Sequence, residues 1–154
     1  MKKLVLGTLF MFIASMAMSQ TADDYIEILR EVLKTEKKAA IAEVMMFSDQ
    51  ESEAFWPLYN EYDAKVYEVQ TKRVKIIKDF AENYDNMTDE KADELMTSYM
   101  NYRQELLTLN KTYYKKFKKI LPLGKAAKYF QAENKIAVLV DFQLATEIPF
   151  IETK

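Results

Sequence analysis

The sequence contains no cysteine and no histidine, and only two glycines and three prolines in 154 residues. Without cysteine there are no disulfides, so packing alone must hold the fold together. Without histidine and cysteine the chain also lacks the usual general base, the thiol nucleophile and the common zinc ligands. Two glycines are too few for a glycine-rich phosphate loop. We therefore expect a protein that is not an enzyme and that holds no cofactor and no metal ion.

Residues 1–19 have the build of a secretory signal peptide. Two lysines precede an apolar stretch, residues 4–18, and the small residues Ala17 and Ser19 have the spacing for cleavage before Gln20. The apolar stretch is shorter than the about 20 residues that a membrane-spanning helix needs. A short start with two lysines is typical of bacterial signals. We expect export to the periplasm, removal of this segment and no stable membrane insertion of the mature chain.

The mature chain, residues 20–154, is mildly acidic. Once the two lysines of the signal are removed, the 22 basic side chains become 20, against 24 acidic ones, for a net charge of −4. This balance argues against nonspecific binding of nucleic acid, which needs a basic excess. A chain of about 135 residues can bury one hydrophobic core. We therefore expect a single helical domain over residues 20–154.

Apolar periodicity along the mature chain predicts an all-α protein. The four predicted helices span about residues 23–46, 49–83, 89–119 and 125–145. Pro57 should bend the second helix near its start, and Pro122 with Gly124 separates the third from the fourth. The predicted apolar face of the first helix consists of Ile26, Leu29, Leu33, Ala40 and Val44.

The second and third helices begin with the same short motif, repeated forty residues apart. In each copy an apolar residue is followed by a hydroxyl N-cap and an aspartate: Ser48 and Asp49 in the first copy, Thr88 and Asp89 in the second. Ser48 and Glu51 also have the spacing of a capping box. Four acids near the third helix start could offer carboxylates to a divalent cation, although the helix dipole accounts for anions there. The repeated helix start predicts two long helices folded into an antiparallel hairpin.

Heptad spacing of apolar residues defines the seam of this hairpin. Folding about residue 87 pairs positions whose numbers sum to roughly 175. The expected pairs are Phe80 with Leu95, Val69 with Leu106, Val66 with Leu109, Tyr62 with Tyr113, and Phe55 with Ile120. Arg73 then lies opposite Tyr102, where its guanidinium can rest on the ring or reach the hydroxyl. The same register sets the lysines of residues 106–132 beside the acidic start of the second helix.

A second set of apolar side chains, here called the stripe, runs beside the seam on both helices. The stripe consists of Trp56, Tyr67, Val74, Ile77, Met96, Met100, Leu107 and Tyr114, and it is continued by Tyr84 on the second helix and Phe117 on the third. It can be hydrophobic core, a dimer interface, or a concave face that binds clients or a partner, with Lys115 and Lys118 at the rim. The lysines of residues 111–128 are either a solvated face or a surface that attracts acidic segments or headgroups. The fourth helix carries apolar residues around most of its circumference, so it needs to pack against other elements on more than one side.

Both helix starts resemble the Leu-Thr-x-x-Gln motifs of the Spy/CpxP family of periplasmic helical proteins. Residues 47–51 read Phe-Ser-Asp-Gln-Glu and residues 87–91 read Met-Thr-Asp-Glu-Lys. The leading leucine is thus Phe or Met, and the final glutamine is Glu51 or Lys91. The segments Phe-Trp-Pro-Leu-Tyr at 55–59 and Leu-Pro at 121–122 look like those of a divergent secreted branch. The resemblance covers about residues 23–144.

The resemblance implies an antiparallel homodimer shaped like a cradle, whose concave face holds unfolded chains without ATP. The family also includes stress regulators that bind the sensing domain of a membrane kinase. We therefore expect a periplasmic chaperone-like protein that binds unfolded or partly folded proteins on the stripe. The alternatives are an envelope stress regulator that binds a membrane sensor protein, or a purely structural helical dimer.

Overall fold

The structure, a computed structural model, describes residues 22–152. Four α-helices and one short 3₁₀ helix form this part of the chain, which contains no strand. The elements are α1 (Ala22–Met45), α2 (Asp49–Asn83), the 3₁₀ helix Tyr84–Asn86, α3 (Asp89–Ile120) and α4 (Leu123–Glu147). The predicted all-α fold is confirmed, and each helix begins and ends within two residues of its expected position. The predicted signal peptide, residues 1–19, lies outside the described residues.

The chain divides after Ala40 into two compact units, and α1 runs through the division. The first unit includes two polar contacts between residues one helical turn apart. Lys34 Nζ lies 3.3 Å from Glu31 Oε1, and the Thr35 hydroxyl donates to the Glu31 carbonyl at 3.0 Å. The second unit contains the end of α1 and all of α2, α3 and α4.

The two helix starts are capped as the repeated motif predicts. Ser48 Oγ accepts the Glu51 N–H at 3.3 Å, and Glu51 Oε2 accepts the Ser48 N–H at 3.0 Å, which completes the capping box. Thr88 Oγ1 accepts the Lys91 N–H at 3.2 Å. The apolar residue before each cap packs inward, since Met87 is buried and the Phe47 ring lies 4.3 Å from that of Phe55. Each motif therefore fixes the residue at which the helix begins and the direction from which the chain enters the helix.

The hydrophobic core is an aromatic cluster at the open end of the hairpin. Phe117 of α3 lies 5.3 Å from Phe55 of α2 and 4.7 Å from Tyr129 of α4, measured between ring centroids. The buried members of the cluster are Ile41, Met45, Phe55, Tyr59, Tyr62, Tyr113, Phe117, Leu121, Ala126 and Tyr129. Residues from all four helices therefore meet at this end, and the turn at Leu121 brings α4 back onto the hairpin.

The expected register of the hairpin is seen in the middle of α2 and α3. The rings of Tyr62 and Tyr113 lie 5.1 Å apart, and the Arg73 guanidinium lies 5.9 Å from the centre of the Tyr102 ring. Both pairs have numbers that sum to 175. At the open end Phe55 packs on Phe117, one turn before Ile120, which is exposed.

The apolar face that the sequence predicts for α1 is wrong in the last turn of the helix. Ile41 and Met45 are buried in the aromatic cluster, whereas Val44 is exposed. Neighbouring helix positions differ by about 100° around the axis. The buried face in the last turn of α1 is therefore rotated by about 100° from the predicted one. Lys128 Nζ of α4 donates to the Val44 carbonyl at 2.6 Å, a contact that holds this end of α1 in place.

Candidate binding face of the hairpin

The face of the hairpin on which α4 packs carries the stripe. Tyr114 of α3 lies 5.2 Å from Phe130 of α4 between ring centroids, and Arg103 of α3 pairs with Asp141 of α4. Met96, Arg103, Leu107 and Tyr114 follow one another at intervals of seven, four and seven residues, so they share one side of α3. On α2, the same face holds Arg73, which also pairs with Asp141, and Ile77, which lies one helical turn further along.

Two members of the stripe belong to the aromatic core. Trp56 is partly buried, with ring centroids 5.0 Å from Phe55 and 5.3 Å from Tyr59, and its indole N–H donates to Ser52 Oγ at 2.9 Å. Tyr114 is partly buried against Phe130. Both side chains therefore serve chiefly to pack α2, α3 and α4 together.

The other members of the stripe leave the core and reach solvent. Val74 and Ile77 are half-buried. The exposed members are Tyr67, Met96, Met100 and Leu107. Met100 has 61% of its surface exposed, which is high for a large apolar side chain on a helix that also contributes to a core. An apolar surface of this kind, bordered by charges, is typical of a site that binds other molecules.

The outer side of α4 adds apolar surface that the sequence did not single out. Val138, Leu139 and Phe142 are exposed, and helical spacing sets them opposite the buried Ala126 and Tyr129. The signal was present in the sequence, because α4 is apolar around most of its girth. Helical periodicity alone does not show which side of α4 stays exposed to solvent.

The lysines that the sequence predicts at the rim of the stripe, and their neighbours, differ in their contacts. Lys115 is exposed, and Lys118 Nζ lies 4.9 Å above the Tyr114 ring. Lys116 Nζ donates to Glu61 Oε1 at 2.7 Å, and Tyr113 OH donates to the same oxygen at 2.7 Å. The Lys116 hydrogen bond, followed by that of Tyr113, holds the pKa of Glu61 below its ordinary value.

A second contact between the lysines and α2 lies at the helix start. Lys125 pairs with Glu51, the N3 residue of the capping box. This hydrogen bond, together with the one from the Ser48 backbone, lowers the pKa of Glu51. The expected approach of the lysines to the acidic start of α2 is therefore seen at this residue.

One aspartate of α4 bridges two arginines of the hairpin. Arg73 Nη1 lies 2.7 Å from Asp141 Oδ1, and Arg103 Nη1 lies 3.0 Å from Asp141 Oδ2. The two guanidiniums lie over tyrosines, 5.9 Å from the Tyr102 ring centre and 6.0 Å from that of Tyr99. Sequence reasoning placed Arg73 by Tyr102 but missed Asp141, whose signal is a single charge within the apolar run 136–144.

The opposite face of the hairpin is polar. A shallow groove of about 510 Å³ lies there, with Val69 and Leu109 among its lining residues. Its other lining residues are Lys65, Glu68, Lys72, Glu105, Thr108 and Thr112. Lys72 and Glu105 pair across the groove at 2.5 Å. The exposed apolar side chains of the stripe therefore mark one face of the hairpin.

Comparisons of the chain with protein-family models, with curated proteins and with solved structures give no match. Within residues 22–152, no helix combines the length and the apolar character needed to cross a bilayer. The same residues contain no group of three or more acidic side chains that could hold a metal ion.

Proposed function

We propose that this protein is a periplasmic chaperone-like protein that binds unfolded or partly folded proteins without ATP. We also propose that it is a divergent member of the Spy/CpxP family, on the two helix-start motifs and the segments at 55–59 and 121–122. The observation that carries the proposal is the exposure of Tyr67, Met96, Met100 and Leu107 on one face of a capped helical hairpin.

The chemistry of these side chains suits partners of many sequences. Methionine is unbranched and polarisable, so Met96 and Met100 can adapt to apolar groups of different shapes. Burying apolar surface is favourable by about 25 cal/mol per Å², so a few such contacts hold a client weakly and reversibly. Lys115 and Lys118 at the rim attract acidic segments over the Debye length of about 8–10 Å. Binding of this kind needs no nucleotide.

The test is the suppression of aggregation by the mature chain, residues 20–154. An unrelated protein that unfolds on warming should aggregate more slowly when the mature chain is present at near-equal amounts. The variant Leu107→Gln should suppress aggregation less well. Leu123→Gln is the matched control, because Leu123 is also an exposed helical leucine but is not part of the stripe. A well-folded mature chain without any suppression would remove the proposal.

The exposed lysines favour a second function, that of an envelope stress regulator. Lys115 and Lys118 are exposed on α3 and could bind an acidic surface of one folded sensor protein. This function predicts that a single membrane protein copurifies with the chain. Reversing the charges at Lys115 and Lys118 should abolish that copurification and leave the suppression of aggregation largely intact.

Photocrosslinking in living cells separates these functions from a purely structural dimer. A photoreactive residue at Met100, in the centre of the exposed part of the stripe, should capture many proteins if the chain is a chaperone. It should capture one protein if the chain is a regulator, and only a second copy of itself if the stripe is a dimer interface. We propose a homodimer in each case, with the outer side of α4 as apolar surface available for it.

A further inference from the structure

The two halves of α4 are attached to the hairpin in different ways. In the first half Ala126 and Tyr129 are fully buried, and Tyr129 packs on Phe117 in the aromatic core. Beyond Glu133 no described residue of α4 is buried. The half-covered residues of this second half are Ile136, Val140, Asp141 and Leu144. The first half is thus anchored by buried rings, whereas in the second half Ile136 is the residue that packs against the aromatic cluster, and it is only partly buried.

The polar contacts of the second half to the hairpin converge on one side chain. In the described part of α4 beyond Glu133, the hydrogen bonds and ion pairs to α2 and α3 all involve Asp141. Each of its carboxylate oxygens accepts from a different arginine. The Arg73 side chain is only 11% exposed, so it depends on this carboxylate more than Arg103 does, because an unpaired buried charge is costly.

We propose that residues 134–147 form a strap that opens from the hairpin and closes over the stripe, with Asp141 as its latch. Arg73 precedes Ile77 by one helical turn, and Arg103 precedes Leu107 by one helical turn, so the latch lies beside the stripe on both helices. Opening the strap would uncover Arg73 and the half-covered apolar residues of the strap itself, Ile136, Val140 and Leu144. The opening is a property of α4, whereas its use in client binding rests on the proposed function.

The expected ease of opening follows from the kind of contact. The pair of Asp141 with the half-exposed Arg103 is weak and is screened by salt, whereas its pair with the more buried Arg73 is the stronger of the two. A segment held by such pairs and by half-covered side chains opens locally far more readily than one held by buried rings. The strap should therefore exchange its amide hydrogens much faster than the first half of α4, which Tyr129 anchors.

Hydrogen exchange of the mature chain tests the latch directly. In Asp141→Asn the amides of residues 134–147 should exchange about tenfold faster than in the wild type, while those of residues 123–133 stay unchanged. Glu147→Gln is the matched control, since it removes one negative charge from the same helix at a residue whose hydrogen bond to Gln143 is local. Asp141→Glu, which keeps the charge, should retain most of the protection.

Salt provides a second arm of the same experiment. Raising the ionic strength from about 0.01 M to about 1 M shortens the Debye length from about 30 Å to about 3 Å. The exchange of residues 134–147 should then accelerate in the wild type and in Glu147→Gln but hardly in Asp141→Asn, where the ion pairs are already lost. Equal exchange of these residues in Asp141→Asn and Glu147→Gln would overturn the latch.

Binding of an apolar fluorescent dye tests whether the strap covers the stripe. The dye should bind more to Asp141→Asn than to the wild type or to Glu147→Gln. Faster exchange without more dye binding would overturn the covering role of the strap. Under the proposed function, Asp141→Asn should also suppress aggregation at a lower ratio to the client. If neither protein suppresses aggregation, the proposed function fails, and the exchange data still decide the latch.

Discussion

Phe117 is the side chain whose removal should damage the fold most. It is fully buried at the junction of three helices, with ring centroids 4.7 Å from Tyr129, 5.3 Å from Phe55 and 5.8 Å from Phe130. Truncating a buried phenylalanine to alanine typically costs about 3–5 kcal/mol. Each lost aromatic pair adds about 0.5–1.5 kcal/mol beyond the buried area, which favours the upper end. We expect Phe117→Ala to lower the free energy of unfolding by about 4–5 kcal/mol.

Native proteins typically have a free energy of unfolding of about 5–15 kcal/mol, so this loss would be a large part of the total. Urea unfolding of the mature chain measures it. The fluorescence of Trp56 is a suitable signal, because it is the only tryptophan in the sequence and lies 5.0 Å from Phe55 within the same cluster. Phe117→Leu, which keeps much of the volume, should cost clearly less than Phe117→Ala.

The matched control is Phe150→Ala in the segment that follows α4, where the side chain is 90% exposed. Surface substitutions of this kind change the free energy of unfolding by at most about 0.5 kcal/mol. If Phe117→Ala and Phe150→Ala had similar effects, the aromatic cluster would not be the main source of stability. The assignment of Phe117 to the core would then be wrong.

Three further perturbations test the helix ends and the buried tyrosines. Met46→Gly should raise the free energy of unfolding in urea by about 0.5–1 kcal/mol, because the left-handed backbone of Met46 (φ 47°) strains a side chain that is 79% exposed and packs little. Met46→Val, which adds a β-branch there, should lower it. Ser48→Ala should lower the same quantity by about 1 kcal/mol through loss of the capping box, whereas Ser98→Ala in the middle of α3 should not, and equal effects would contradict the cap. Burial raises the pKa of both Tyr62 and Tyr129, so the folded state keeps protons that the unfolded state loses, and stability should fall as the pH rises above about 10. Tyrosinate absorbance during alkaline unfolding checks this, Tyr129→Phe should reduce the fall, and a stability that stays flat above this pH would refute it.

The part of the fold that could be predicted from the sequence is the part fixed by local chemistry. Ser48 and Thr88 cap their helices because the cap and its partner lie three residues apart, which the sequence shows directly. The pairing of Tyr62 with Tyr113 followed from the position of the turn and from helical spacing. Two long helices joined by a short turn leave little freedom in register.

The part that could not be predicted depends on how each helix is rotated. Val44 and Met45 are both apolar, and only contact with the other helices decides that Met45 faces the core. In α4 the difficulty is greater, because apolar residues lie on all sides and periodicity gives no preferred face. The pairing of Asp141 with Arg73 and Arg103 joins residues 68 and 38 positions apart in the chain. Such a contact forms only once the rotation of α4 is fixed.

The uneven distribution of the core links the fold to the proposed binding. The buried rings are concentrated at the open end of the hairpin, where α2, α3 and α4 meet. Towards the turn, the seam relies more on polar pairs, such as Tyr102 with Gln70 at 3.1 Å and Lys91 with Asp79 at 2.7 Å. Regions with few buried apolar contacts open locally at low free energy. Because Met96 and Met100 lie in this less packed half, they can adapt to a bound chain while the aromatic cluster keeps the helices joined.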